Sequence, residues 1–184
     1  MLYICEGLDK CGKSEYIDRL GLVTEEANEL IEIGNITMTK LEWYKTIRQS
    51  SHLPKRLALH FGADDTNPFE SFKSAYELSK YTDLYLDRSF ISEMVYGVVY
   101  RQHSNLSMEQ LATIQQVLLH CDHCILYFTR KLDSNYFNSL DIKDNFESKA
   151  DAIKECNKFY RRHMTAFKKL GLNVYEITFQ VKRG

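Results

Sequence analysis

Only two prolines and eight glycines occur among the 184 residues, and they do not gather. No Gly-, Ser- or Pro-rich linker, internal repeat or low-complexity tract divides the chain, and its length suits one sizeable core rather than two. A single domain over 1–184 is expected. No apolar run approaches the about 18 residues that would suggest a membrane span. The opening "MLYICEG" has no basic segment and reaches an acid at Glu6, so no signal peptide is expected. The five cysteines are odd in number and lack disulfide-scaffold spacing, which points to a reduced, cytoplasmic protein. A basic excess is missing too: 24 Lys and Arg stand against 25 Asp and Glu, for a net charge of −1. That balance disfavours a nucleic-acid partner but permits a small anionic ligand in a local basic pocket.

What the chain does have is alternation. Short apolar runs at 2–6 (LYICE), 83–87 (DLYLD), 123–128 (HCILYF) and 173–177 (NVYEI) read as strands, with 28–33 (NELIEI) as a weaker one. Ser107 and Gln110 make a capping-box pattern ahead of Leu111, Ile114, Val117 and Leu118 on one helical face. A longer helix from about Ser148 carries apolar residues from Ile153 to Leu170 and stops at Gly171. The expected fold class is α/β: a three-layer phosphate-loop architecture with a central parallel sheet of about five strands flanked by helices. Ligands of such sheets bind beyond the carboxyl ends of the strands.

The strongest local signal is "EGLDKCGKS", residues 6–14. Gly7, Gly12, Lys13 and Ser14 fit G-x-x-x-x-G-K-[ST], whose backbone amides cradle phosphates. Lys13 would reach the β- and γ-phosphates of ATP, and Ser14 would ligate Mg²⁺. Asp87 and Arg88 follow the strand at 83–87, where an acid can hold the metal and an arginine can bind a second phosphate bidentately. Cys11, inside the loop near a helix N-terminus and two lysines, is expected to be a reactive thiol shielded by nucleotide. "HCDHC" at 120–124 invites a zinc reading, but its residues run into a strand with alternating side chains and no second cluster completes a site.

The combination of "EGLDKCGKS", "HFGADD" (60–65) and "DRSFISEMVY" (87–96) resembles the thymidylate kinase family of nucleoside monophosphate kinases. The resemblance implies transfer of the ATP γ-phosphoryl to a deoxynucleoside monophosphate with Mg²⁺, in nucleotide biosynthesis. It implies Asp9 at the acceptor sugar's 3′-hydroxyl, Phe61 stacked on the base, Arg88 on the acceptor phosphate and Tyr96 under the deoxyribose. Lys10 lies where some members carry a catalytic Arg, and "DNFE" (144–147) resembles the end of the family's lid, here about 130–147. The family is commonly dimeric, and the helix beginning at Phe90 is where a homodimer contact is expected.

Two positions depart from that pattern. Asp65 replaces an Arg that meets the thymine carbonyl; an ionised acid only accepts hydrogen bonds, so the preferred base would offer an amino or hydroxyl group. Phe61 and Asp65, four apart, are expected on one helix face. Asn145 stands where the lid usually has an Arg, leaving Arg130, Lys131 and Lys143 in the segment and Lys10 as the nearer cation. The acceptor phosphate should also need a basic partner from Lys40, Arg48, Lys55 or Arg56. Two rival readings stay open: a deoxynucleoside kinase with Glu32 as base, and a slow nucleotide-dependent switch or binding protein.

Overall fold

The buried apolar runs find one another as parallel neighbours. The computed structural model describes residues 1–62, 65–140 and 146–179. Its main sheet joins β1 (Leu2–Glu6), β2 (Thr24–Glu26), β5 (Arg56–His60), β6 (Asp83–Asp87), β7 (His123–Thr129) and β8 (Val174–Thr178) in the order β2-β5-β6-β1-β7-β8. Every pairing in it is parallel. The interior strand β7 is buried along its whole length, whereas the edge strands β2 and β8 are mostly half-buried or exposed. A strand covered on both faces must be apolar throughout, which is why the central strands stand out in the sequence.

The sheet has six strands rather than about five, and its membership differs from the sequence reading. The run at 28–33 does form a strand, β3 (Leu30–Ile33), but it pairs antiparallel with β4 (Ile36–Thr39) in a separate hairpin. Its alternating burial and its glutamates suit a ribbon with one wet face, not a covered parallel strand. Gly34, at φ 62°, takes the first of the two turn positions.

Helices flank the sheet: α1 (Lys13–Arg19), α2 (Lys40–Thr46), α3 (Pro68–Ser79), α4 (Phe90–Ser92), α5 (Val98–Arg101), α6 (Met108–Leu119), α7 (Ser134–Asn138) and α8 (Phe146–Lys169). The Ser107–Gln110 capping box is formed in both directions at the start of α6. Along α8, Cys156, Tyr160, Met164 and Phe167 are buried at helical spacing, and Gly171 takes φ 88° just past its end. Fully burying a side chain such as Phe167 contributes about 1.5–3 kcal/mol. Between α4 and α5 the helix widens into one π-type turn, Glu93–Gly97, a feature that often marks a functional site. Among the described residues no helix is long and apolar enough to cross a membrane.

Gly7 fixes how closely the first loop lies on the sheet. At φ 140° its backbone is open to glycine alone, and an added Cβ would stand 2.3 Å from the Phe128 carbonyl oxygen. Gly7→Ala is therefore expected to destabilise the chain by about 2–4 kcal/mol, from backbone strain plus displacement of β7. Urea unfolding without nucleotide checks this; a change below about 0.5 kcal/mol would contradict the packing account.

Candidate active site

In the parallel register Cys5 stands opposite Asp87, and Leu59 opposite Leu86, so β1, β5 and β6 end level. Three segments therefore meet at one edge: the loop 7–12 after β1, Phe61 after β5 and Arg88 after β6. Two clefts open there. A small polar one is lined by Asp9, Lys10, Gly12, Lys13, Ser14, Glu15, Asp87 and Arg88. The other is a largely apolar cavity of about 450 Å³, lined among others by His60, Phe61, Asp65, Phe72, Tyr96 and Tyr100. Asp9 and Arg88 line both, and they are the two residues that join them.

The polar cleft is a wound loop with its lysine turned inward. Lys13 is buried and its Nζ donates to the carbonyls of Gly7 (3.0 Å) and Leu8 (2.8 Å). Burial lowers its pKa, and the charge of Arg88 adds to that, against the pull of Asp87, Asp9 and Glu6. Lys10 sits at φ 57°, in the left-handed region, with its side chain exposed. The loop is held from outside by residues the motif does not include. Tyr136 donates its hydroxyl to the Asp9 carbonyl at 3.2 Å, and Arg130 Nη1 donates to the Lys10 carbonyl at 3.1 Å.

Arg88 is also at positive φ, 71°, with its amide donating to the Cys5 carbonyl at 3.0 Å. Its guanidinium pairs with Asp9, donates to Ser92 Oγ at 3.4 Å and lies 4.9 Å from the centre of the Tyr96 ring. A non-glycine residue in that conformation costs about 1–2 kcal/mol and concentrates at functional sites. Beside it, Asp87 Oδ1 is buried and accepts no hydrogen bond from any described residue. An orphaned carboxylate oxygen sharing a cleft with the Ser14 hydroxyl fits a hard cation with oxygen ligands. No cluster of three or more His, Cys, Asp or Glu gathers among the described residues. A serine hydroxyl and one carboxylate oxygen suit Mg²⁺, which keeps waters and phosphate oxygens as further ligands.

Several sequence expectations need correction. Phe61 and Asp65 line the same cavity, but not from a helix face: Phe61 follows β5, Gly62 turns the chain at φ 74°, and α3 begins only at Pro68. Asp65 Oδ1 accepts from the Asn67 amide at 3.1 Å in the turn that leads into the helix. Glu32 is exposed on the hairpin and lines neither cleft. Of the four cations suggested for the acceptor phosphate, none lines either cleft; Lys40, for one, is paired with Glu29 (2.7 Å) and Glu25 (3.2 Å). Of the lid's end, Lys143, Asp144 and Asn145 lie outside the described residues. In "HCDHC", His123 Nε2 accepts from the Asn173 amide at 3.1 Å, so its Nδ1 donates to the Cys121 carbonyl. That ring ties β7 to the start of β8.

Sequence reasoning missed Glu93 and Arg101, which form an ion pair on the cavity wall. It also missed His60, whose Nδ1 donates to the Asp87 carbonyl at 2.7 Å. The carbonyl can only accept, so in the neutral ring Nε2 is left as an acceptor. Local spacing did not flag these residues, because the cavity wall joins the end of β5 to the helical segment 90–101, well along the chain.

Cys11 is the clearest reversal. Its side chain is buried, and burial pushes the thiol up despite the opposing pull of Lys13 and Arg130. Cys5, Cys124 and Cys156 are buried as well, and Cys121 alone is partly exposed. With an aromatic disulfide reagent near neutral pH, Cys121 should react first and the other four only on unfolding. A fast, Mg-ATP-protected reaction at Cys11 would overturn that order.

Fold and site together define a phosphate-loop type of α/β fold, a parallel six-stranded sheet flanked by helices. Among solved structures the chain is similar to the YorR protein of Bacillus subtilis, determined in complex with phosphorylated GDP. The TM-score is 0.58 at 18% identity, over 97% of this chain and 85% of that one. At that identity the likeness establishes the fold. No protein-family model and no curated protein matches the chain.

Proposed function

We propose that the protein is an ATP-dependent nucleoside monophosphate kinase of the thymidylate kinase type, passing the γ-phosphoryl group to a deoxynucleoside monophosphate. The observation that carries this reading is the sharing of Asp9 and Arg88 between a phosphate-loop cleft and an aromatic-lined cavity. Transfer needs two phosphates side by side, and an arginine at the junction can hold the acceptor's in place. The bound nucleotide of the YorR structure also favours nucleotide chemistry on this fold.

An acceptor monophosphate is ionised near neutral pH, its second pKa being about 6, so no general base is required. Positioning and charge then supply most of the catalysis. Gly7, Cys11 and Gly12 contribute backbone to the cradle, Lys13 would leave the Gly7 and Leu8 carbonyls for the donor's phosphates, and Lys10 would reach the transferring group. Ser14 and Asp87 would hold a magnesium ion, whose chemistry is charge neutralisation at the phosphates. In the cavity, Phe61 would stack on the base and Tyr96 pack under the sugar, with Asp9 meeting the 3′-hydroxyl. The second oxygen of Asp65, not engaged by Asn67, favours a base that donates from an amino or modified hydroxyl group.

The test is ADP formation from Mg-ATP with dTMP, dCMP, dAMP, dGMP, dUMP or thymidine as acceptor. Turnover is expected with a monophosphate and not with thymidine, with an amino-bearing base ahead of dTMP. Arg88→Ala should lower kcat/KM for the acceptor by about 10²–10³-fold while ATP affinity changes little. Asp65→Arg should move preference towards dTMP. ATP binding without stimulation by any acceptor would sink the kinase reading in favour of a slow nucleotide switch.

A further inference from the structure

Glu6 closes β1 with no solvent exposure at all, yet it is an acid. Burying a carboxylate costs several kcal/mol unless donors surround it. Here they do. Oε1 accepts from Ser89 Oγ at 2.8 Å and from the Ser92 amide at 3.3 Å. Oε2 accepts from Ser92 Oγ at 2.6 Å, with the Tyr160 hydroxyl 3.2 Å away. An aliphatic side chain would serve the sheet at this position without needing four partners. What the acid does instead is reach across from β1 to grip the segment that follows Arg88.

The polarity of that grip matters. Ser92 Oγ has one proton, and at 2.6 Å it is given to Glu6. Its lone pairs are then left to face Arg88 Nη1 at 3.4 Å and the Tyr160 hydroxyl at 2.9 Å. A hydroxyl proton turned towards the guanidinium would set donor against donor. Glu6 thus makes Ser92 an acceptor on the side where Arg88 needs one, and through Ser89 and the Ser92 amide it holds the turn that keeps Arg88 at φ 71°. Asp9 and the Tyr96 ring fix the guanidinium's other sides.

We propose that Glu6 is a positioning residue, acting from within the core on the Arg88–Ser92 turn and the Ser92 hydroxyl to set the Arg88 guanidinium at the junction of the two clefts. The consequence for activity rests on the reading of Arg88 as the acceptor-phosphate ligand. Burial pushes the Glu6 carboxyl up, against hydrogen bonds from Ser92 and Ser89 and the charges of Arg88 and Lys13. The folded chain therefore holds this proton more tightly than the unfolded chain, and the stability it brings is lost as pH rises through the folded value.

The test is Glu6→Gln, which keeps the shape but puts a donor where an acceptor stood. A merely structural Glu6 would change stability alone; a positioning one also changes how the acceptor binds and how the Arg88 turn exchanges. The expected result is unchanged ATP affinity and an acceptor KM raised about tenfold or more. Ser92→Ala, which keeps Glu6 and removes the relay, should give the same KM defect, and the double variant should be no worse than either single one. Should Glu6→Gln not fold, Ser92→Ala carries the test. Backbone amide exchange of Arg88, Ser89 and Ser92 gives a readout free of any assumption about substrate: faster exchange in Glu6→Gln is expected. If wild-type protein shows no acceptor turnover, the kinase reading fails and the exchange result alone decides. Unchanged exchange, or an unchanged acceptor KM in an active enzyme, would overturn the positioning role.

Discussion

Parallel pairing of β1 with β6 is the constraint on which the rest depends. Because Cys5 faces Asp87 in register, the phosphate loop and the Asp87–Arg88 pair leave the sheet side by side. A one-residue slip would turn every side chain of β6 to the opposite face. Asp87 would then leave the polar cleft, and Arg88 could not reach both Asp9 and the Tyr96 ring. The register is held by burial on both sides: Leu2, Ile4, Leu84 and Leu86 are all but inaccessible to solvent. The apolar core thus fixes the site at the level of single residues.

Around this edge the charges are arranged with little help from solvent. Lys13 is satisfied by its own loop's carbonyls, and Glu6 by hydroxyls and an amide. Arg88 sits between them with Asp9 as its ion-pair partner. Each buried charge is matched before any ligand arrives, which keeps the desolvation cost bounded. Asp87 Oδ1 is the exception, and an unmatched acid oxygen beside a serine hydroxyl is what a cation would complete. Preorganisation of this kind is worth most where water is scarce, because fixed dipoles need not reorganise during reaction.

The interior strands were legible nearly to the residue, since full burial leaves a run such as "HCILYF" without a charged residue after its opening His123. β5 escaped notice because "RLALH" has only Leu57, Ala58 and Leu59 buried between flanking polar residues. β2 is three residues with two glutamates, held as a strand by pairing with β5 rather than by its own preference. The phosphate loop and the Asp-Arg pair were legible because their chemistry is local. The cavity wall was not: His60, Glu93 and Arg101 acquire a role only when the end of β5 and the helical segment 90–101 fold together. Cys11 misled for a related reason. Proximity to lysines argued for a lowered pKa, but burial, which no local pattern reports, outweighs them.

The same distinction bears on the shortage of arginine in the lid. Counting residues along 130–147 suggests too little positive charge for phosphoryl transfer, if the charge has to come from that segment's far end. Arg130 instead stands directly after β7, bonded to the Lys10 carbonyl and 5.4 Å from the Tyr136 ring centre. It is thus fixed at the rim of the phosphate loop from the end of β7. Lys10, at φ 57° with its carbonyl held by that same contact, is the exposed cation of the pair. One arginine held by β7 and one lysine carried on the loop place positive charge at the rim of the phosphate loop. Arg88, set from β6, places it where the polar cleft meets the apolar cavity.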